Sequence, residues 1–203
     1  MSKTAKLYFI FFIAATISSG CMNERILRDS GSEQNTNVDS NQRDNNLTDG
    51  TDAPYLPTHQ SVVDEMLAIA DVTGDDVLYD LGSGDGRIPI TAALRYGTRG
   101  VGIDIDPVLV SEANKNARNA RVQDKVRFIE GDIFEQDFSD ATVVMLYLSP
   151  ELNLKLRPQL QKMKPGTRIV SHNHDMGDWT PEKSKSVKTP SGVDHTIYFW
   201  RVP

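Results

Sequence analysis

Short apolar runs alternate with longer amphipathic segments through the part of the chain that follows residue 53. Runs rich in β-branched and aromatic residues predict strands, and apolar residues three or four apart predict helices. The predicted strands lie at 77–81, 101–105, 126–129, 142–148, 167–171 and 196–201. The predicted helices lie at 62–70, 88–94, 107–120 and 152–163, the last with a break near Pro158.

This strand–helix alternation predicts a single α/β domain over residues 54–203, with a doubly wound, mostly parallel sheet. The run 142–148 is apolar throughout, as expected of a strand covered on both faces. The last strand has no helical segment just before it, and a hairpin with an antiparallel edge would suit it. The two prolines of 54–57 predict an extended lead-in, after which Thr58 is expected to cap the first helix.

Residues 1–21 differ in composition from this domain. Two lysines precede an apolar run at 7–17, and three small residues lead to Cys21. This order is typical of a secretory signal, and the run is short for a bilayer span. It also resembles a bacterial lipoprotein signal, which implies a lipidated Cys21 and a membrane-anchored protein on the extracytoplasmic side. The alternatives are an uncleaved or non-lipidated segment, or a cytoplasmic protein that starts at Met22.

Residues 22–53 predict a disordered polar linker. They are rich in Asn, Asp, Ser, Gln and Thr, and such a segment buries too little apolar surface to offset its ordering entropy. The linker carries seven acidic and three basic residues, and the whole chain has a net charge of −6. The remaining domain is also net acidic. This balance lacks the basic footprint of a nucleic-acid-binding surface, so we expect no nucleic-acid partner.

A turn of alternating glycines follows the strand at 77–81. A dinucleotide site requires G-x-G-x-x-G, but here the glycines are Gly82, Gly84 and Gly86, and Arg87 occupies the last position of that pattern. Asp80 lies two residues before the first glycine. Glycines allow the backbone to approach a ligand, and the N–H groups at the helix start attract polar or anionic groups. The turn therefore predicts a nucleotide-type site, with a plain tight βα turn as the alternative.

Acidic residues also follow the next two predicted strands. Asp104 ends the strand at 101–105, and its distance from the glycine turn is close to that expected of an acid that binds ribose hydroxyls. Asp132 follows the strand at 126–129. Carboxylates accept hydrogen bonds from a vicinal diol or from an adenine amino group. Ile105 and Ile133, the next residues along the chain, are expected to sandwich the adenine.

Three motifs resemble those of class I S-adenosylmethionine-dependent methyltransferases: Asp80 to Arg87, Gly102-Ile103-Asp104-Ile105-Asp106 and Gly131-Asp132. With Pro-Tyr-Leu-Pro at 54–57, the chain is similar to the seven-strand protein-lysine methyltransferases, including the archaeal broad-specificity enzymes and the mitochondrial ATP-synthase c-subunit enzyme. The resemblance covers residue 54 to about residue 150. It implies a Rossmann-like fold, S-adenosyl-L-methionine as cofactor and a protein lysine as methyl acceptor.

Together, the strand ends and the resemblance define an expected cofactor site. Its members are Tyr55, Asp80, Gly82, Ser83, Gly84, Gly86, Asp104, Ile105, Asp132 and Ile133. Tyr55 is expected either to cover the cofactor as a lid or to serve only as part of an N-terminal strap.

The acceptor side is expected at the ends of the fourth and fifth strands. A lysine acceptor must lose a proton, because its reference pKa is about 10.4. Tyr147 and Tyr55 are candidates for the walls of the acceptor channel, and Tyr147 is alternatively a core aromatic residue. His172 or Asp175 is expected to orient the acceptor or take its proton. The catalytic candidates are therefore Tyr147, His172 and Asp175.

Two other interpretations of the loop after the fifth strand remain open. His172 and His174, with Asp175 or Asp178, have the composition of a two-histidine, one-carboxylate metal set, although we expect no metal. The loop is alternatively structural and held in place by Trp179.

Three functions are compatible with the motifs. The preferred one is N-methylation of protein lysine by direct in-line transfer, by a monomer. The second is methylation of a small molecule or lipid by the same fold. The third is a catalytically silent cofactor-binding module, because export would separate the domain from cytoplasmic S-adenosylmethionine.

Overall fold

The computed structural model describes residues 56–203. The predictions for the leader 1–21, the linker 22–53 and Tyr55 therefore fall outside the described residues. Four helices and seven strands follow one another in this part of the chain. In chain order they are α1 (Gln60–Ile69), β1 (Val77–Leu81), α2 (Arg87–Tyr96), β2 (Arg99–Asp104), α3 (Pro107–Asn119), β3 (Val126–Glu130), β4 (Val143–Leu146), α4 (Pro150–Leu160), β5 (Arg168–His172), β6 (Lys183–Lys188) and β7 (Asp194–Arg201).

The strands form one sheet in the order β3-β2-β1-β4-β5-β7-β6. The first five strands in that order are parallel, and β7 pairs antiparallel with both β5 and β6. The predicted α/β, Rossmann-like sheet, mostly parallel with antiparallel pairing towards one edge, is confirmed. Strand β6 was not predicted. Its sequence is Lys-Ser-Lys-Ser-Val-Lys, in which only Val187 is buried, so it shows no alternation of apolar and polar residues.

The sheet is covered on both faces, and β4 shows how its sequence achieves this. Val143 and Met145 pack in the core beneath α1, whereas Val144 and Leu146 pack in the core beneath α4. All four β4 side chains are fully buried, as predicted for this continuous apolar run. The helix over each face shields apolar surface from water, which is the dominant favourable contribution to folding.

The chain changes direction beside β1. The order runs β1, β2, β3 towards one edge, and β4 then returns to the other side of β1. In sheets of this kind a crevice forms beyond the carboxyl ends of the strands at this switch point. The residues that follow β1, β2, β3 and β4 therefore face a common space.

Side-chain caps define where the helices begin. Asp106 accepts a hydrogen bond from Val108 N at the start of α3, and Ser149 accepts one from Leu152 N at the start of α4. The expectation that Thr58 caps α1 is wrong, because the N-cap is His59, whose side chain accepts from Ser61 N. None of the helices within residues 56–203 combines the length and apolar character needed to cross a bilayer.

Candidate cofactor and acceptor site

A cavity of about 590 Å³ lies at the carboxyl ends of the central strands. This volume is in the range of small-molecule and cofactor sites, roughly 300–1,000 Å³. The N-terminal segment 56–58 forms part of its wall. The cavity brings together most of the predicted site residues: Asp80, Gly82, Ser83, Gly84, Asp104, Ile105, Asp132, Ile133 and Tyr147.

The glycine turn has a backbone conformation that favours glycine at two of its positions. Gly82 and Gly84 have φ angles of 80° and 52°, which residues other than glycine rarely adopt. A Cβ atom on Gly82 would lie 2.7 Å from Leu148 Cδ2. The N–H groups of Gly82 and Ser83 donate to Ile103 O at 2.8 and 3.0 Å, so the turn is fastened to β2.

Gly86 has a different position from the other two glycines. It does not line the cavity, and a Cβ atom there would lie 2.5 Å from the Phe128 ring and 3.0 Å from Ala113 Cβ. Gly86 is the N-cap residue of α2, with a φ of 79°, and no side chain caps the helix there. The structure therefore places the third glycine of the motif in the packing of α2 against β3 and α3, away from the space for a ligand.

The Asp104 carboxylate is held by two backbone groups. Its Oδ2 accepts from Gly84 N at 2.7 Å and its Oδ1 accepts from Asp106 N at 3.0 Å. The residue is only 8% exposed, yet it lines the cavity. Because each carboxylate oxygen has two lone pairs, both oxygens retain capacity for one more donor. This is the arrangement required to bind a pair of neighbouring hydroxyl groups.

Asp80 and Asp132 supply carboxylates on either side of Asp104 in the strand order. Asp132 Oδ1 accepts from Phe134 N at 2.9 Å, which orients it at the end of β3. Asp80 is buried, and the pKa of its carboxyl group is raised well above its ordinary value by that burial and then by the charges of Asp104 and Asp85. A cation bound beside Asp80 would offset this cost.

These groups fit S-adenosylmethionine, which carries a cationic sulfonium, an α-ammonium, a ribose diol and an adenine amino group. Ile105 is 54% exposed and Ile133 is buried, and both present apolar surface to the cavity. The Ser83 hydroxyl is buried without a hydrogen-bond partner anywhere in residues 56–203. An unsatisfied polar atom in a cavity wall is expected where a ligand completes the hydrogen bonding.

Arg87 links the glycine turn to the N-terminal segment, a role that sequence reasoning missed. Its guanidinium donates to both carboxylate oxygens of Asp85, at 2.9 and 2.6 Å, and to Thr58 O at 2.7 Å. Both Thr58 and Arg87 line the cavity. The Asp-Gly-Arg spacing was visible in the sequence, but its backbone partner lies 29 residues away along the chain.

Lys155 and Phe134 are further lining residues that the sequence did not indicate. The ammonium group of Lys155 lies 3.7 Å from the centre of the Phe134 ring, within the range of a cation–π contact. Lysine at helical spacing on α4 is indistinguishable in sequence from an ordinary exposed lysine.

Tyr147 follows β4 and lines the cavity on the side of β1 opposite to Asp104 and Asp132. Its ring centre lies 3.9 Å from that of His172, which is 1% exposed and does not line the cavity. Burial, followed by His195 and His174, lowers the pKa of His172 to about 3. His172 therefore stays neutral near pH 7, and its ring packs against the Tyr147 ring outside the cavity.

Asp175 lies outside the cavity. It is exposed, and its carboxylate accepts from Gly177 N at 3.0 Å. Asn153 of α4 holds the same loop by donating to Ser171 Oγ at 3.0 Å and to His174 O at 3.1 Å. These contacts support the structural interpretation of the loop. Among the described residues no group of three or more His, Cys, Asp or Glu side chains is arranged to bind a metal ion.

Trp179 contributes to the same support. Its ring centre lies 5.9 Å from that of Trp200 of β7, whose indole N–H donates to Trp179 O at 2.7 Å. The loop after β5 is therefore joined to the sheet at both of its ends.

The sheet order, the glycine turn and the carboxylates at the three strand ends define a class I S-adenosylmethionine-dependent methyltransferase. The sequence also matches the ANTKMT methyltransferase domain over residues 80–183, about half of the chain. The chain belongs to this methyltransferase family, and the resemblance seen in its motifs is confirmed.

Two relatives show how far this similarity extends. The chain is 42% identical over 149 residues to a protein-lysine N-methyltransferase of Saccharolobus islandicus (strain REY15A), an alignment that spans 72% of this chain and 92% of the relative. It is 30% identical over 131 residues to the ATP synthase c-subunit lysine N-methyltransferase of Xenopus laevis. That second alignment spans 64% of this chain but only 57% of the frog enzyme.

Solved structures agree with the fold and the cofactor. An RNA methyltransferase from Salinibacter ruber, crystallised with S-adenosyl-L-homocysteine, is 55% identical with a TM-score of 0.68. That alignment covers 73% of this chain and 94% of the Salinibacter chain. A Thiobacillus denitrificans methyltransferase, also bound to S-adenosyl-L-homocysteine, shares the fold at 20% identity and a TM-score of 0.52.

Proposed function

We propose that this methyltransferase transfers its methyl group to the side-chain amine of a lysine in a protein. The observation that carries the proposal is the 42% identity to the archaeal protein-lysine N-methyltransferase over nearly the whole of that enzyme. The wall of the cavity that lies across β1 from Asp104 and Asp132 suits such an acceptor. It contains Tyr147 and Leu152, and the neutral His172 packs against the Tyr147 ring outside the cavity. Partly apolar surroundings favour the uncharged amine, which is the reactive form.

The chain contributes positioning and exclusion of water to the reaction. When bound, S-adenosylmethionine supplies a methyl group on a sulfonium that leaves readily. Asp104 and Asp132 orient the nucleoside part, and Asp80 offsets positive charge beside the glycine turn. Tyr147 and the N-terminal segment 56–58 cover the acceptor side, so that an incoming amine is aligned and desolvated.

A second candidate substrate is RNA, since the Salinibacter protein, at 55% identity, is described as an RNA methyltransferase. The charge of the chain disfavours it. The net charge is −6, and five carboxylates line the cavity against two cationic side chains, those of Arg87 and Lys155. RNA binding depends on neutralising phosphates with basic residues, and such a cavity repels them.

The two substrates are separated by labelling with tritiated S-adenosylmethionine. The full chain is incubated with a protein extract and, in parallel, with total RNA. We expect label in protein bands and methylated lysine after hydrolysis, with no label when Asp104→Ala replaces the wild type. Label confined to RNA would establish the second candidate. Cofactor binding by calorimetry without label in either extract would contradict both and favour either a small-molecule or lipid methyltransferase or a silent module.

We further propose that Cys21 is lipidated and anchors the enzyme on the extracytoplasmic side of a membrane. The apolar run at 7–17 and the small residues before Cys21 support this proposal. Metabolic labelling with radioactive palmitate should mark the wild type and not Cys21→Ser, and only the wild type should sediment with membranes. An unlabelled wild type that does not sediment with membranes would instead support a non-lipidated segment or translation from Met22.

We also propose that the enzyme acts as a monomer, because one chain supplies the glycine turn and all three strand-end carboxylates of the cavity. Light scattering of the purified protein at several concentrations should give the mass of one chain. A dimer mass that persists on dilution would contradict this.

A further inference from the structure

A path of three polar side chains leads from the cavity towards the protein surface. Thr58 lines the cavity, and its Oγ1 lies 3.3 Å from His172 Nδ1. His172 Nε2 lies 2.8 Å from His195 Nδ1. Thr58 and His172 are buried, whereas His195 is half-buried at the start of β7. The outer imidazole is thus within reach of solvent, and the inner hydroxyl is within reach of a bound ligand.

Three separate parts of the fold assemble this path. His172 is the last residue of β5, and His195 lies near the start of the neighbouring strand β7. Thr58 precedes α1, and the hydrogen bond from Arg87 to Thr58 O at 2.7 Å holds it at the cavity wall. The Tyr147 ring lies against His172 on the cavity side, so Thr58 is the member of the path that an acceptor can approach.

Two opposite directions of hydrogen bonding satisfy the two contacts, and one of them runs outward from Thr58 to His195. Two ring nitrogens 2.8 Å apart need one N–H donor and one lone-pair acceptor. If the Thr58 hydroxyl donates to His172 Nδ1, then His172 Nε2–H donates to His195 Nδ1. His195 Nε2–H is then left to donate to water. Each atom in this arrangement has one defined role, as a chain of proton transfers requires.

We propose that Thr58, His172 and His195 form a relay that carries the proton of the acceptor lysine from the cavity to solvent. This inference rests on the proposed lysine acceptor. Asp175, the other residue expected to take that proton, lies outside the cavity and is not placed to receive it.

The proton balance is complete without any further reactant. The lysine ammonium gives one proton to Thr58 Oγ1 as the Thr58 hydroxyl proton moves to His172 Nδ1. The Nε2 proton of His172 moves to His195 Nδ1, and the Nε2 proton of His195 moves to water. The amine keeps its lone pair, which forms the new N–C bond while the electrons of the broken C–S bond remain on sulfur.

The groups around His172 favour a neutral imidazole that passes a proton on over a permanently protonated imidazolium. It faces the Tyr147 ring, His195 and His174, and Arg87 contributes its charge beside the backbone of Thr58. Burial and the two histidines hold the pKa of His172 at about 3, so an imidazolium is not populated at neutral pH. A neutral imidazole can still accept at one nitrogen while it releases at the other.

Substitution of Thr58 tests the relay. Thr58→Val keeps the shape of the side chain and removes the hydroxyl, and Thr58→Ser restores it. We expect Thr58→Val to lower kcat for lysine methylation about 100-fold near pH 7, the size of a typical acid–base contribution. The difference should close as the pH rises through about 10.4, where an increasing share of the acceptor arrives uncharged. Thr58→Ser should retain most of the wild-type rate at every pH.

A matched control is available at the next residue. His59 is an exposed histidine that caps α1, and its ring nitrogen bonds to Ser61 on the same helix. His59→Asn keeps a good N-cap and should leave the pH profile unchanged. Calorimetry should show that Thr58→Val binds S-adenosylmethionine within about twofold of wild type, since the relay serves the acceptor.

Nitrogen-15 NMR of the imidazoles gives a readout that does not depend on turnover. In the cofactor-free protein we expect His172 to be neutral at pH 7, with its proton on Nε2, and Thr58→Val to alter the Nδ1 signal. A doubly protonated His172 at pH 7 would overturn the relay. It would also be overturned if Thr58→Val kept the wild-type kcat, or lost the same factor at every pH. If the wild type labels no lysine at any pH, the proposed function fails, and the relay fails with it.

Discussion

The Asp104 carboxylate accepts a hydrogen bond from the Gly84 backbone N–H at 2.7 Å, and this contact joins the end of β2 to the glycine turn after β1. The two residues are 20 positions apart in the chain. Their parallel strands bring them side by side, because Gly102 is in register with Asp80. The acid is therefore oriented by the same glycine turn that lines the cavity.

Replacement of this acid should impair cofactor binding. Asp104→Asn keeps the shape of the side chain but replaces one acceptor oxygen by an N–H donor, which would face either Gly84 N–H or Asp106 N–H. We expect affinity for S-adenosylmethionine to fall about 10- to 100-fold, the loss of one or two charge-assisted hydrogen bonds. Isothermal titration calorimetry measures this. Asp137→Asn, at an exposed carboxylate outside the cavity, should bind as the wild type does.

Binding should also release protons from Asp80. The pKa of its carboxyl group is raised by burial and then by Asp104 and Asp85, so Asp80 keeps its proton to a higher pH than an ordinary aspartate until a cation binds. A bound sulfonium or ammonium lowers that pKa, and affinity should rise as the pH increases through it. Calorimetry in two buffers of different ionisation enthalpy should detect release of up to about one proton. Asp80→Asn should remove the release, and an unchanged proton count in that variant would contradict this assignment.

The third glycine of the motif should matter for stability through packing. Gly86→Ala adds a methyl group 2.5 Å from the Phe128 ring at a φ of 79°. Gly166 has a similar φ of 88° with open space around it. We expect Gly166→Ala to lower the free energy of unfolding by about 1–2 kcal/mol, because an alanine there must adopt the left-handed backbone conformation. Gly86→Ala should cost about 1–3 kcal/mol more, for overpacking.

Urea unfolding of both variants gives the comparison directly. Equal destabilisation by the two substitutions would show that Phe128 yields at no cost, and that the packing explanation is wrong.

A buried ion pair at the opposite end of the sheet should make stability depend on acid pH. Asp76 pairs with Arg168 and accepts hydrogen bonds from Thr142 Oγ1 at 2.7 Å and Thr73 N at 2.8 Å. Burial alone would raise the pKa of Asp76, but these hydrogen bonds and the guanidinium outweigh it and hold that pKa below its ordinary value. The contribution is therefore present above about pH 4 and lost as the pH falls through the lowered pKa.

Asp76→Asn tests this pair. It leaves a mostly buried guanidinium without its counter-charge, so we expect a loss of about 3 kcal/mol in the free energy of unfolding at pH 7. The difference from the wild type should shrink below about pH 4, as followed by urea unfolding across the pH range. Asp194→Asn, in the exposed pair with Lys188, should have no measurable effect. A pH-independent difference for Asp76→Asn would contradict the linkage.

Local patterns in the sequence determined most of the fold and one half of the site. Period-two and period-3.6 spacing located all the helices and every strand but β6 among the described residues. The order of strands and helices placed Asp80, Asp104 and Asp132 at one edge, because parallel strands necessarily end on the same side of a sheet. Residue type alone predicted a turn at Gly82 and Gly84 that lets the backbone approach a ligand, and both glycines have a left-handed conformation that few other residues adopt.

Only the tertiary structure decided which side chains beyond those strand ends face the cavity. Gly86 packs against Phe128, Asp175 lies outside, and Thr58 does not cap the helix but reaches His172, 114 residues away along the chain. The path from Thr58 to His195 depends on β7 lying beside β5, a pairing that local periodicity does not encode. Spacing along a chain reports which face of an element a residue occupies, whereas contact between distant segments depends on how the elements pack together.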